Sequence, residues 1–425
     1  MLRLLLGFIL LASWFFGALA FAQIISPSAE EVNFTYFARF RVPLDAVEDN
    51  DIARAEMHAS HMFGLFHSPH YIKMFGIPGK DVGGIGAPRA QMQISIISSI
   101  VQGHEILISY KNTGKLLLHN LAAQALIKAK TFDIPLPVNP YDIYAAECTD
   151  KDYPGFGDYW YFYDPFKYRC QALSSWPLAE NVRLTITPTE TQKLDVTPRL
   201  PVLRGDNKNG SLFLIFAIHG YESSRSREDE GRIGFEQFNE YLIREGFSEI
   251  RKNSQSRNMV YIYRKDIKLD NGQLMQVEIH HMLATTDMES SSTAFAEFFK
   301  SGVENADVIL YGGHSGLGSN LDIESLEYKA GKYHFNKDKK QIFFFDSCSS
   351  YSYYLKTFAA EKTKAKIDVI TYGLSSYFFS SNDVWIELMK HLLSPQSRDV
   401  LWKDILFDME KVLKGDTYLI SVGGI

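Results

Sequence analysis

Two residues able to do covalent chemistry stand at the ends of apolar runs. Val308-Ile309-Leu310-Tyr311 leads into Gly312-Gly313-His314-Ser315-Gly316, and Ile342-Phe343-Phe344-Phe345 leads into Asp346-Ser347-Cys348-Ser349-Ser350. A thiol attacks a carbonyl as its thiolate, and an imidazole beside it can take the proton. The glycines before His314 allow substrate and backbone to approach closely. Backbone N–H groups at Cys348 and around Ser315 and Gly316 offer donors to an oxyanion. A helix expected after Cys348 would aim the positive end of its dipole at the sulfur. The bland alternative is a buried structural thiol and a satisfied loop histidine, since free cysteine is often buried.

Such a pair can work only if two strands deliver it to one edge. In open α/β sheets, ligands and catalytic groups collect at the C-terminal edge of parallel strands, and residues 211–400 read as that kind of fold. Residues 211–218 form a continuous apolar run, as in a strand buried on both faces. Helical spacing follows over 233–247, then a strand over 259–264. Asp270-Asn271-Gly272 reads as a hairpin turn between 265–269 and 273–279. A serine-led helix over 291–302 precedes strands over 307–311 and 341–345. A helix over 353–362, a strand over 367–372 and a helix over 384–393 complete the alternation, which predicts an α/β sandwich with a mostly parallel sheet and helices on both faces. Residues 23–200 read differently, as α+β. Strands are expected over 33–42, 91–101, 105–110, 115–119 and 181–187, with Asn112-Thr113-Gly114 as a turn, and helical spacing covers 45–66. The proline- and glycine-bearing stretch 197–210 is the expected linker. The organisation expected is therefore a signal peptide (1–22), an α+β N-terminal domain of unassigned role (23–200) and an α/β domain (205–425).

The two motifs together resemble the caspase–gingipain–legumain–clostripain superfamily of cysteine peptidases, over about residues 211–400. The resemblance implies a caspase-like α/β/α fold, His314 as general base and acid, and Cys348 as nucleophile. Gly313 matches the glycine before the family's histidine, and Asp346 the acidic residue two before the cysteine in clostripain-like members. Ser315 stands where the family usually places a glycine, and Gly316 follows. The implied reaction is peptide-bond hydrolysis through a thioester.

Other constellations compete. Gly313-His314-Ser315-Gly316-Leu317 is a near miss to a G-x-S-x-G nucleophile elbow, which would make Ser315 a serine nucleophile, Ile218-His219-Gly220 an oxyanion loop and His391 the base. His219 also ends a strand on the edge expected for His314, where it would line the cleft or cap the strand. His58, His61, His67 and His70, with Glu56 nearby, are weak metal candidates whose spacing fits no zinc pattern. His280-His281 reads as structural. The aromatic stretch 152–168 reads as a binding platform or a small local core.

Bulk properties bound the rest. Met1 to Arg3, an apolar run to Phe16 and Ala-x-Ala patterns at 18–22 read as a cleavable secretory signal, and the run is short for a membrane span. A periplasmic, surface or secreted location follows, with no stable membrane span expected. The net charge of -6 and the lack of a long basic cluster give no electrostatic reason to expect nucleic acid. The expected partner is a peptide or protein substrate, and no cofactor is called for. A non-catalytic envelope or surface-binding protein is the reading from another class. Three cysteines are present. Pairing Cys148 with Cys170 closes a short loop, worth about 3 kcal/mol, and leaves Cys348 free.

Overall fold

The computed structural model describes residues 23–46, 48, 50–78, 83–89, 92–143, 147–149, 159–174, 178–189, 212–222, 228–253, 259–286, 292–363, 366–396 and 400–423. The expected signal peptide and the 197–210 linker lie outside these residues.

Among the described residues, fifteen strands form two sheets. In chain order they are β1 (Gln23–Ile25), β2 (Ala29–Pro43), β3 (Gly86–Pro88), β4 (Gln93–Gln102), β5 (Glu105–His119), β6 (Thr131–Pro137), β7 (Ala179–Pro188), β8 (Leu212–Tyr221), β9 (Ser248–Asn253), β10 (Met259–Lys268), β11 (Leu274–Thr285), β12 (Val308–Gly312), β13 (Gln341–Asp346), β14 (Ile367–Tyr372) and β15 (Ile420–Gly423). The large sheet runs β1-β15-β14-β13-β12-β8-β11-β10-β9. Its centre, β14 through β11, is parallel, and β10 and β15 flank it antiparallel.

The apolar runs explain that centre. Along β12, β13 and β14 every residue is buried, so both faces must be covered. One face, with Ile309, Tyr311, Phe343 and Phe345, packs on Phe295 and Phe299 of the Thr293–Asn305 helix and Phe358 of the Leu355–Ala360 helix. The other, with Val308, Leu310, Ile342 and Phe344, packs on the Glu230–Arg244, Phe378–Leu392 and Trp402–Lys411 helices through Phe238, Trp385 and Trp402. Helices therefore cover both faces of a mostly parallel sheet. Local signals hold these helices in place. Ser292 caps the Thr293–Asn305 helix, accepting from the Phe295 N–H, and Asp229 caps the Glu230–Arg244 helix, accepting from Arg232.

The smaller sheet has the order β3-β5-β2-β7-β6, with β4 also on β5. Two expectations are corrected here. Asn112-Thr113-Gly114 is not a turn; β5 runs straight through it, because Asn112 is buried with its amide on the Tyr36 hydroxyl and Gly114 makes room for the Phe34 ring. The helical stretch expected over 45–66 begins only at Asp51, capped by Asn50, and breaks at His61 into Asp51–Ser60 and Met62–Phe66.

The division at residue 200 is also less simple than the sequence suggests. β1 pairs antiparallel with β15 in the large sheet, across nearly the whole chain. One apolar core continues from the small sheet to a face of the large one, joining Phe34, Tyr110 and Leu184 to Phe345, Tyr351 and Phe358.

Candidate active site

β12 and β13 are parallel neighbours in register, with Gly312 opposite Asp346. The ladder continues one step, from the Gly313 N–H to the Asp346 carbonyl at 3.2 Å. His314 and Cys348 each stand two residues beyond this last pair, on adjacent strand ends. Both are partly exposed, and Cys348 is a free thiol. Among the described residues no hydrogen bond joins them in the resting state. The glycines before His314 are needed for close packing: a Cβ at Gly312 would meet Trp385 at 2.9 Å, and one at Gly313 would meet Thr286 at 2.8 Å.

The His314 loop is held from behind. Tyr311 donates its hydroxyl to the His314 carbonyl at 2.6 Å, and the Asn320 amide donates to the same oxygen at 2.9 Å. Tyr354 donates to the Ser315 carbonyl at 2.7 Å. A trans peptide points its N–H opposite its C=O. The N–H groups of Ser315 and Gly316 therefore face away from these buried tyrosines. On the ring itself, His314 Nε2 lies 2.7 Å from Glu222 Oε1, and Phe378 stands edge-on at 5.4 Å. Glu222 escaped the sequence reading. The available signal was positional, since it follows β8 by one residue on the same sheet edge.

The surroundings of Cys348 do not favour its anion in the way the helix expected after it would. Burial pushes its thiol above the ordinary value. The Ser376 backbone and Ser375 side chain pull it partly back, and the Asp346 carboxyl pushes it up again. The thiol donates to the Ser376 carbonyl at 3.7 Å. The following helix is a four-residue piece, Ser350–Tyr353, entered through Ser349 in left-handed geometry at φ 52°. So short a helix adds little dipole. Asp346 is buried below the thiol; burial raises its pKa to about 7, with Ser381, Trp385 and Ser376 holding it back.

Compared with models of known protein families and with curated protein sequences, the chain matches none.

The remaining candidates fall elsewhere. His219 does not line the cleft. It is buried, with Nδ1 2.8 Å from His281 Nε2 and Nε2 2.9 Å from Asn382 Oδ1, and burial lowers its pKa to about 4. His281 continues the chain to Asn239 at 2.7 Å, while His280 points to the opposite face, onto Glu278. Ser315 is buried and is followed by the 3-10 turn Gly316–Leu321, with Leu317 and Gly318 at positive φ. No helix follows it, as an elbow requires. His391 pairs with Asp408 at 2.9 Å. It lies 13 residues along the Phe378–Leu392 helix from the Phe378 that touches His314, which at 1.5 Å per residue is about 20 Å.

The histidine-rich segment is wired into the protein. His58 Nδ1 accepts from the Tyr110 hydroxyl at 2.7 Å, and Nε2 donates to the Pro137 carbonyl at 2.8 Å. Its ring stacks on Phe40. His61 and His67 donate through Nδ1 to backbone carbonyls of their own helical turns, and His70 stacks on Phe166. Among the described residues, none of these rings joins a group of three that could hold a metal. Cys148 and Cys170 form a disulfide. In the aromatic stretch it clips, residues 152–158 lie outside the described residues; of the rest, Tyr163 is fully buried and Tyr168 is exposed. One member leaves it: the Tyr161 hydroxyl reaches Ser349 at 3.4 Å and Ser375 at 3.5 Å, beside the thiol.

Proposed function

We propose that the chain is an exported, caspase-like cysteine peptidase that hydrolyses peptide bonds with Cys348 and His314. The observation that carries this reading is the register of β12 and β13. It puts His314 and Cys348 each two positions past the last paired residues of neighbouring strands. Glu222 on Nε2 favours the ring tautomer that presents Nδ1 to a thiol proton.

In the proposed reaction, His314 takes the Cys348 proton as sulfur adds to the substrate carbonyl carbon. The oxyanion falls to the outward N–H groups of Ser315 and Gly316. The imidazolium then gives its proton to the departing amine, leaving a thioester. His314 next deprotonates a water, which attacks the thioester and releases the acid with the thiol restored. Because the resting thiol is held protonated by burial, proton transfer to His314 has to accompany attack. Export rests on the N-terminal signal pattern, and among the described residues no helix is long and apolar enough to cross a membrane.

A non-catalytic binding protein of the same fold is the second reading, favoured by the raised Cys348 thiol. Incubation with a diverse peptide library, read by mass spectrometry, separates the two. The enzyme reading expects a defined set of cleavages that vanish in Cys348→Ala and in His314→Ala. Cleavage that survives both substitutions, or none with the wild type, contradicts it.

A further inference from the structure

The segment that follows the nucleophile is gripped almost residue by residue by the N-terminal half of the chain. Ser349 meets the Tyr161 hydroxyl. Tyr351 donates its hydroxyl to Glu31 Oε1 at 2.6 Å. Ser352 donates to the Pro88 carbonyl. Tyr353 stacks on Phe63, with ring centroids 5.8 Å apart and nearly parallel planes. The anchor of this grip is ionic. Glu31, on β2 and only 4% exposed, also takes Lys115 Nζ at 2.6 Å and Arg89 at 3.2 Å, and the Arg89 guanidinium lies over the Tyr351 ring at 5.3 Å. A carboxylate so buried persists because two cations and a hydroxyl satisfy it. Burial, with the Glu31 charge, keeps Tyr351 well above its ordinary phenol pKa, so it remains a donor.

This grip has work to do. Ser349 carries a side chain in left-handed backbone geometry directly after Cys348. Such a residue is strained and persists only where its surroundings over-determine it. The Ser349 N–H is fixed to the Leu374 carbonyl at 3.0 Å from within the α/β half. The holds on the side chains of 349, 351, 352 and 353 named above come from the other half.

We propose that the Glu31–Arg89–Lys115 cluster, held by the N-terminal half, is a positioning device for the nucleophile, acting through Tyr351. This rests on the reading of Cys348 and His314 as a working pair. Glu31 and Tyr351 are positioning residues: their effect on chemistry passes through the turn at 349–353, which directly follows the sulfur-bearing residue.

The test uses the full chain and the rate of Cys348 alkylation by iodoacetamide, followed from pH 5 to 9. Tyr351→Phe removes one hydroxyl and keeps the ring. Ser352→Ala removes the neighbouring hold and serves if Tyr351→Phe fails to fold, which a thermal melt and circular dichroism establish. The expected result is a loss of about tenfold in the His314-dependent rate near pH 7, on the scale by which small misplacements slow reacting groups. The part of the rate that depends on His314 should shrink, while the melt shows the protein folded at the assay temperature. A purely structural role would lower the melting temperature and leave the pH profile of the folded protein as in the wild type, and that result overturns the proposal. His314→Ala in the same assay keeps the two claims apart. If it alters the profile while Tyr351→Phe and Ser352→Ala do not, the dyad stands and the positioning role falls. If it alters nothing, the dyad itself falls, and the positioning role with it.

Discussion

Lowering the pH from 7 to 5 should remove much of this protein's stability, through histidines that the fold buries in neutral form. Burial lowers His58 and His219 to about 4 and His61 to about 3, and holds His281 well below its ordinary value of 6.5. Below pH 6.5 the unfolded chain protonates these rings while the folded chain does not. Their contribution is complete above 6.5 and is lost as pH falls toward the folded values. Asp346 acts in the opposite sense. Its folded pKa of about 7 lies above the ordinary 3.8, so between those values the folded chain holds a proton that the unfolded chain has released. For these five groups, four rings less one carboxyl leave a difference of about three protons, or about 4 kcal/mol per pH unit near pH 5; burial also lowers His67 and His119, which adds to it, and raises Asp142 and Asp164, which subtracts from it. A domain's whole stability is about 5–15 kcal/mol, so unfolding should set in near pH 5. Urea titrations followed by tryptophan fluorescence at pH 7, 6 and 5 measure this directly. His58→Gln, which keeps a donor for the Pro137 carbonyl, should make the slope shallower by about 1.4 kcal/mol per unit. A midpoint unchanged between pH 7 and 5 would refute the reasoning, since it requires these rings to be solvated or charged in the folded protein.

Other outcomes follow from single contacts. Asp346→Asn should raise stability by about 1.6 kcal/mol at pH 5, where folding of the wild type still takes up a proton, and by about 4 kcal/mol at pH 9, where the wild type holds a buried carboxylate; a variant less stable than the wild type at both pH values contradicts the assignment. Gly231→Ala would set a Cβ 1.7 Å from the Gly220 carbonyl oxygen, so it should cost more than about 3 kcal/mol in a denaturant titration, and a neutral effect would mean the Glu230–Arg244 helix docks differently. Reducing Cys148–Cys170 should lower stability by about 3 kcal/mol, measured by melts with and without a phosphine reductant; coincident melts would mean the loop is held without it. Glu222→Gln should slow His314-dependent alkylation of Cys348 by no more than about fivefold, because Glu222 meets His314 Nε2 from a largely exposed position, and a loss of a hundredfold would give Glu222 a larger role than its exposure allows.

What the sequence revealed and what it hid divide along physical lines. Strands buried on both faces announce themselves as unbroken apolar runs, so β8, β12, β13 and β14 were legible, and with them the edge carrying His314 and Cys348. The hairpin joining β10 and β11 was legible because Asn271-Gly272 has few other uses. β1 was not, since three residues carry no periodicity and its partner β15 lies at the other end of the chain. The turn expected at residues 112–114 failed because a long antiparallel ribbon overrode local preference, with the Phe34 ring filling the place of a Gly114 side chain. The cleft role considered for His219 failed because a strand-end histidine can turn inward when Asn382 and His281 are there to receive it. The hold of Glu31 on Tyr351 left no trace in the sequence at all, because a hydrogen bond spanning 320 positions has no local signature.

The central claim is that His314 takes the proton of Cys348. The most direct measurement is the alkylation rate of Cys348 at pH 6 in the wild type and in His314→Ala, with a model thiol as reference. The account predicts a wild-type rate well above that of the model thiol and a His314→Ala rate at or below it, as expected for a thiol that burial keeps protonated. Equal, slow rates in both proteins would contradict it.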